Sequence, residues 1–213
     1  EIINHVDNVI PAVGTRTATG NSVPIVDAGV NYTIPAQTPF RLTAIGSDGN
    51  ASDVLTYSWE ERDLGPQQGV SSGDNGSSPI FRVFDPTTDP SRTFPRLSNL
   101  LTSTTVIGET LPTTTRQMEF RVTVRDNRSG GGGVNTDDMQ VNVVNTGSAF
   151  AVTSLNTSVS LGGLSTQTVT WNVAGTTGNG INAANVNILL STDGGQTFSV
   201  VLASGVANDG SQT

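Results

Sequence analysis

Carboxylates at the spacing of a calcium loop are the first candidates for chemistry in this chain. Asp48-Gly-Asn-Ala-Ser-Asp53 offers Asp48, Asn50 and Asp53 as oxygen donors on one short loop. Hard divalent cations take such ligands, about 6–8 oxygens in the case of Ca²⁺. The segment lacks the alternating ligands and the distal Glu of an EF-hand. It also reads as a hairpin turn, with Asp and Asn side chains capping backbone groups. Asp126, Asn127, Asp137 and Asp138 flank a second hairpin tip. They join the first group if the two loops meet at one end of a β-sandwich. The metal candidates are then Asp48, Asn50, Asp53, Asp126 and Asp137, with Ca²⁺ as the cofactor and a stiffened loop cluster or domain junction as its effect.

Other constellations resolve into structure. Ser191-Thr-Asp-Gly-Gly-Gln-Thr-Phe198 is similar to the Asp-box of sialidase propeller blades. No propeller-like repeat accompanies it, so Asp193-Gly194 reads as the turn between two strands, and a glycosidase is excluded. Glu60, Glu61 and Asp63 lie beside Arg62. A carboxylate pair serves glycoside hydrolysis, but neighbours on a strand point to opposite faces. A solvated or Arg-paired edge is expected instead. Gly130 to Gly133 has no helix after it and makes a poor phosphate loop. The single histidine, His5, sits in a polar lead-in where a catalytic triad is hard to assemble.

The elements that position these residues are strands. Phe40, Leu42 and Ala44 alternate with Arg41 and Thr43, the period-2 pattern of a half-buried strand. Leu55, Tyr57 and Trp59 alternate with Thr56, Ser58 and Glu60, and a Trp on an inner strand is a common sandwich anchor. Phe120, Val122 and Val124 then pair with Met139, Val141 and Val143 across a glycine-rich tip. A second set follows: Val169, Trp171 and Val173; Val186, Ile188 and Leu190; Phe198, Val200 and Leu202. No window sustains a period of 3.6. The fold class is therefore all-β, with tandem immunoglobulin-like and fibronectin-III-like sandwiches. The expected divisions are a linker at 1–22, a first sandwich at 23–146 and a partial second one at 147–213. Six of the ten prolines fall between Pro66 and Pro112, and residues 65–111 read as a long insert packed on its own apolar side chains.

Composition narrows the partners. The formal charge is -8 and all ten basic residues are Arg. A basic stripe is missing, so nucleic acid is not expected as a partner. With no cysteine, disulfides, thiolate zinc sites and a Cys nucleophile are excluded. No apolar run approaches the roughly 20 residues of a membrane span. The chain opens on Glu1 rather than Met and reads as part of a longer product.

Several segments taken in order carry a resemblance. They are TATGNSVPIVDAGVNYTIPAQTPFRLTA, LTYSWEERDLGP, PIFRVFDPTTDPSRTFPRLSNLL, FRVTVRDNRSGGGGV, TVTWNVAGT and VNILLSTDGGQTFSVVLASGVANDGS. Together they resemble the region that follows the catalytic domain in secreted bacterial reprolysin-like zinc metallopeptidases. The resemblance implies a PKD- or cadherin-like immunoglobulin domain followed by a fibronectin-III-like domain. It implies a secreted or cell-surface location and an upstream catalytic domain as partner. The family's HExxHxxGxxH zinc motif is not in this sequence, so no catalytic residue carries over and this chain is not expected to be an enzyme. The expected function is that of a non-catalytic accessory region, spacing or stabilising the protease and binding an extracellular protein or polysaccharide. The alternative is an adhesive or carbohydrate-binding module of a cell-surface protein. Sugar stacking needs exposed flat rings, yet Tyr57, Trp59 and Trp171 all fall at core positions and leave only Tyr32.

Overall fold

A computed structural model describes residues 18–213; His5 and the lead-in up to residue 17 lie outside the described residues. The fold is all-β, with one short helix among the described residues. The longest pairing joins β7 (Arg116–Arg125) to β8 (Val134–Val144), antiparallel, with Met118 opposite Val141 and Phe120 opposite Met139. Alternation along these strands puts Met118, Phe120, Val122, Val124, Met139, Val141 and Val143 into one core, each at most 2% exposed. The edge strand β5 (Thr56–Glu61) adds to β7 and buries Tyr57 and Trp59. On the other side β2 (Tyr32–Pro35) runs parallel to β8, completing a four-stranded sheet.

Two smaller sheets share this core. β1 (Ile25–Asp27) pairs with β4 (Ile45–Ser47), and β3 (Phe40–Thr43) pairs with β6 (Ser91–Phe94). The β3–β6 pairing revises the sequence reading of residues 65–111. The segment is not packed only on itself: it supplies a strand, and its aromatic rings complete the common core. Phe94 is fully buried and stacks on Phe40 at 5.0 Å, and edge contacts join both rings to Phe81 and Phe120. Such pairs add about 0.5–1.5 kcal/mol each beyond area burial. β6 escapes periodicity because Ser-Arg-Thr-Phe holds a single apolar residue and lies between Pro90 and Pro95. The segment also carries the helix, α1 (Leu97–Thr102), closed by Ser103 in the left-handed region.

The remaining strands form a lighter unit. β9 (Ala151–Val152), β10 (Val169–Asn172) and β13 (Ser211–Gln212) make one sheet; β11 (Asn185–Leu190) and β12 (Val200–Ala207) make a ribbon. Large side chains of the ribbon stay exposed, among them Leu190, Val201 and Leu202. Buried hydrogen bonds anchor the unit instead. Asn208 accepts from Trp171 Nε1 at 2.8 Å and donates to Thr176 Oγ1 and the Ala183 carbonyl, both at 2.8 Å. Asn208→Ala strips the partner from the buried Trp171 Nε1 and from the half-buried Ala183 carbonyl, while the Thr176 hydroxyl keeps its bond to the Val173 carbonyl. We expect a loss of about 1–3 kcal/mol in urea unfolding followed by tryptophan fluorescence, against a smaller loss for Asn187→Ala, whose Oδ1 accepts exposed bonds from the Ser204 hydroxyl and the Gly205 N–H.

Candidate metal centre

The β4–β5 loop, the β7–β8 hairpin and the entering chain converge at one end of the sandwich; the first loop is not the hairpin expected from the sequence, because β4 pairs with β1 and β5 with β7. The first loop follows β4. Asp48 Oδ1 accepts the Asn50 N–H at 2.6 Å, and the Asn50 carbonyl accepts the Asp53 N–H at 3.0 Å. This is the Asx-type turn expected from the sequence. The second loop joins β7 to β8. Asp126 Oδ1 takes the N–H groups of Arg128 at 3.1 Å and Gly133 at 2.9 Å, and its Oδ2 also accepts from Gly133 at 2.8 Å. The glycines here provide room as well as conformational freedom. A Cβ at Gly132 would sit 2.9 Å from Asp126 Oδ1, and one at Gly133 would sit 2.8 Å from Pro24 Cδ.

Carboxylate oxygens of Asp48, Asp53 and Asp126 all lie within 4.8 Å of one another. Oxygens bound to Ca²⁺ at about 2.3–2.6 Å lie up to roughly 5 Å apart across the ion, so the separation fits. The donor set fits as well, being all oxygen and triply negative. The decisive atom is Asp48 Oδ2, which is buried without a hydrogen-bond partner. A buried acceptor in that state is costly, and a cation resolves the cost. Asp53 is already met by Arg128 Nη1 at 3.4 Å, with its side chain 10% exposed. Asp126 is held below the ordinary carboxylate range, first by the Asn21 side chain and then by the backbone N–H groups and the Arg128 charge, against an opposing contribution from burial. It is thus ready to ligate as the anion. The three carboxylates supply at most six oxygens, so solvent would complete the shell.

The other two metal candidates stand differently. Asn50 is on the loop, but its Oδ1 accepts the Ser22 N–H at 2.7 Å and so ties the entering chain to the site. Asp137 lies apart from the cluster: its Oδ2 caps the Ala28 N–H at 2.8 Å. It is the fourth residue of β8, opposite Val122, and so sits within the ladder rather than at the tip. Asp138 is taken by Arg121, at 2.6 and 2.7 Å, and by Arg62. Asn127 donates to the Val54 carbonyl at 2.8 Å. Asn21, which donates to Asp126 Oδ2 at 2.5 Å and to the Gly131 carbonyl at 3.0 Å, carried no sequence signal because it lies in a polar lead-in.

A second charged cluster is buried in the same unit. Arg116, 1% exposed at its side chain, meets Asp74 at 2.7 Å, Glu61 at 3.4 Å and Asp63. The acidic group Glu60, Glu61 and Asp63 is therefore Arg-paired in part, but its partner is Arg116 rather than the adjacent Arg62. The 191–198 turn is held by its own hydrogen bonds: Asp193 takes the Thr197 N–H and hydroxyl and the Ser191 hydroxyl. These bonds, that from the Thr197 hydroxyl foremost, hold Asp193 far below the ordinary carboxylate range.

The chain matches no protein-family model and no curated protein.

Proposed function

We propose that this chain is a non-catalytic accessory region of a secreted zinc metallopeptidase, a β-sandwich module whose entry end is stiffened by Ca²⁺. The observation that carries the reading is the buried, unpartnered Oδ2 of Asp48, on a carboxylate that lies within 4.8 Å of those of Asp53 and Asp126. The ligands come from both loops, and the entering chain is hydrogen-bonded to the same loops through Asn21 and Ser22. An ion there fixes the angle at which the preceding segment leaves the sandwich. Spacing a neighbouring catalytic domain requires such a fixed exit. The ordered segments resembling the metallopeptidase region support the identity of that neighbour, with the immunoglobulin-like and fibronectin-III-like assignments.

The test uses the intact secreted product. Sequencing it upstream of Glu1 is expected to find an HExxHxxGxxH segment. Introducing Asp48→Asn together with Asp53→Asn is then expected to shorten the half-life of peptidase activity on heating while leaving the initial rate unchanged. A product without that zinc motif, or variants with an unaltered half-life, would overturn the reading.

A further inference from the structure

Three guanidinium groups surround one phenyl ring in this acidic protein. Arg82, Arg92 and Arg96 lie over Phe84, at 5.3, 4.8 and 5.0 Å from its centroid. Only Arg92 has a carboxylate, Glu109, at 2.6 Å. Among the described residues, Arg82 and Arg96 meet no acidic partner within ion-pair distance, and both are exposed. Like charges this close repel, and a chain of net charge -8 has carboxylates to spare. The arrangement has the character of an anion site waiting for its charge.

The cluster borders a cleft of about 380 Å³. Arg41, Arg92 and Arg96 stand on its walls with Asp85 and Asp89, and Gln196 from the 191–198 turn also lines it. Arg41 makes only a loose pair with Asp89, 3.9 Å away and exposed. The volume is at the small end of ligand sites, which span roughly 300–1,000 Å³, and suits one or two sugar rings. The lining combines cations for an acid group with carboxylate and hydroxyl oxygens for sugar hydroxyls. A peptide strand is less suited. The outer edge of β5 is already closed by Thr87, which exchanges N–H···O bonds with Tyr57 at 2.7 and 3.0 Å, so strand addition has no free ladder there.

We propose that this cleft binds an acidic saccharide, with its carboxylate or sulfate held by Arg96 and Arg41. The planar forks of two arginines suit either oxyanion. The site is independent of the metal centre and of the accessory role.

Calorimetric titration of the chain tests it, with digalacturonic acid, a sulfated disaccharide, neutral maltose, inorganic sulfate and a Glu-rich peptide as probes. An acidic disaccharide is expected to bind where maltose does not, with affinity falling as salt is raised. Arg96→Gln and Arg41→Gln each weaken binding by roughly tenfold, while Arg62→Gln, outside the cleft, leaves it unchanged. Arg41 and Arg96 are exposed, and thermal melts of the variants confirm folding. A preference for the carboxylated or for the sulfated disaccharide identifies which acid group is read. No binding by either, equal binding of inorganic sulfate, tighter binding of the peptide, or indifference to both substitutions overturns the proposal.

Discussion

Arg116→Ala is expected to lower folding free energy by about 3–5 kcal/mol, the usual cost of removing one partner from a buried ion pair. The side chains of Glu61 and Asp74 are wholly buried and that of Asp63 is 7% exposed. Without the guanidinium they are three confined carboxyl groups with no counter-charge. The loss spreads beyond electrostatics because Arg116 Nη2 also donates to the Ser78 carbonyl at 2.9 Å. That bond ties the segment after β5 to the start of β7. Stability of a domain is commonly about 5–15 kcal/mol, so the variant approaches unfolding at 37 °C. Urea denaturation reads the effect. Arg121→Ala, which removes an exposed pair with Asp138, is expected to leave the midpoint nearly unchanged. Equal midpoints for the two variants would contradict the argument.

The same cluster sets a pH limit. Three carboxylates face one guanidinium, and the cluster relieves the excess charge by keeping a proton. Burial pushes Glu61 up to about 8 from 4.5, aided by its hydrogen bond with Asp63 and opposed by the Ile80 and Phe81 N–H groups. The folded value stands above the unfolded one. Its contribution is therefore complete below pH 4.5 and lost as pH rises through 8. Asp74 acts in the opposite sense. Burial raises it, but the Thr114 hydroxyl and the N–H groups of Gly76, Thr113 and Thr114 outweigh that and bring it down to about 2. Its contribution is present above 3.8 and lost as pH falls through 2. Glu61→Gln retains an acceptor for Ile80 and Phe81 without titrating. It is expected to remove a slope of up to about 1.4 kcal/mol per pH unit between the two Glu61 values. Identical stability–pH curves for the parent and the variant would exclude the buried proton.

Ca²⁺ is expected to give the second large effect. At 100 times its dissociation constant, a ligand bound only by the folded chain adds about 2.7 kcal/mol. For a chain of this size that is roughly 5–10 °C in Tm. EGTA should reverse the shift, and Mg²⁺ should give less because it requires tighter octahedral geometry. Asp48→Asn is the informative variant. Without metal it is expected to melt at or slightly above the parent temperature, since it relieves repulsion among three carboxylates. With Ca²⁺ its shift should disappear. Asp137→Asn should keep the shift, because Asp137 caps Ala28 away from the cluster. A Ca²⁺ response lost in Asp137→Asn and kept in Asp48→Asn would place the ion elsewhere.

Sequence alone determined the strands whose two faces differ in polarity. Phe40 to Ala44, Leu55 to Trp59 and the β7–β8 hairpin follow from period-2 alternation, because a half-buried sheet enforces that period locally. The glycine tip and the Asp48 to Asp53 turn were legible for the same reason, since their geometry is set within a few residues. Tertiary structure decided everything that depends on distance through space. β6 pairs with β3 some 50 positions away, and its burial comes from Phe40 and Phe120 rather than from its own pattern. Arg116 finds Glu61 and Asp74 across the fold, whereas adjacency in the chain suggested Arg62. Asp53 and Asp126 converge while Asp137 does not, because a strand advances about 3.3 Å per residue. Asp137 lies opposite Val122, three residues back from the end of β7, and so stands about 10 Å down the sheet from the tip.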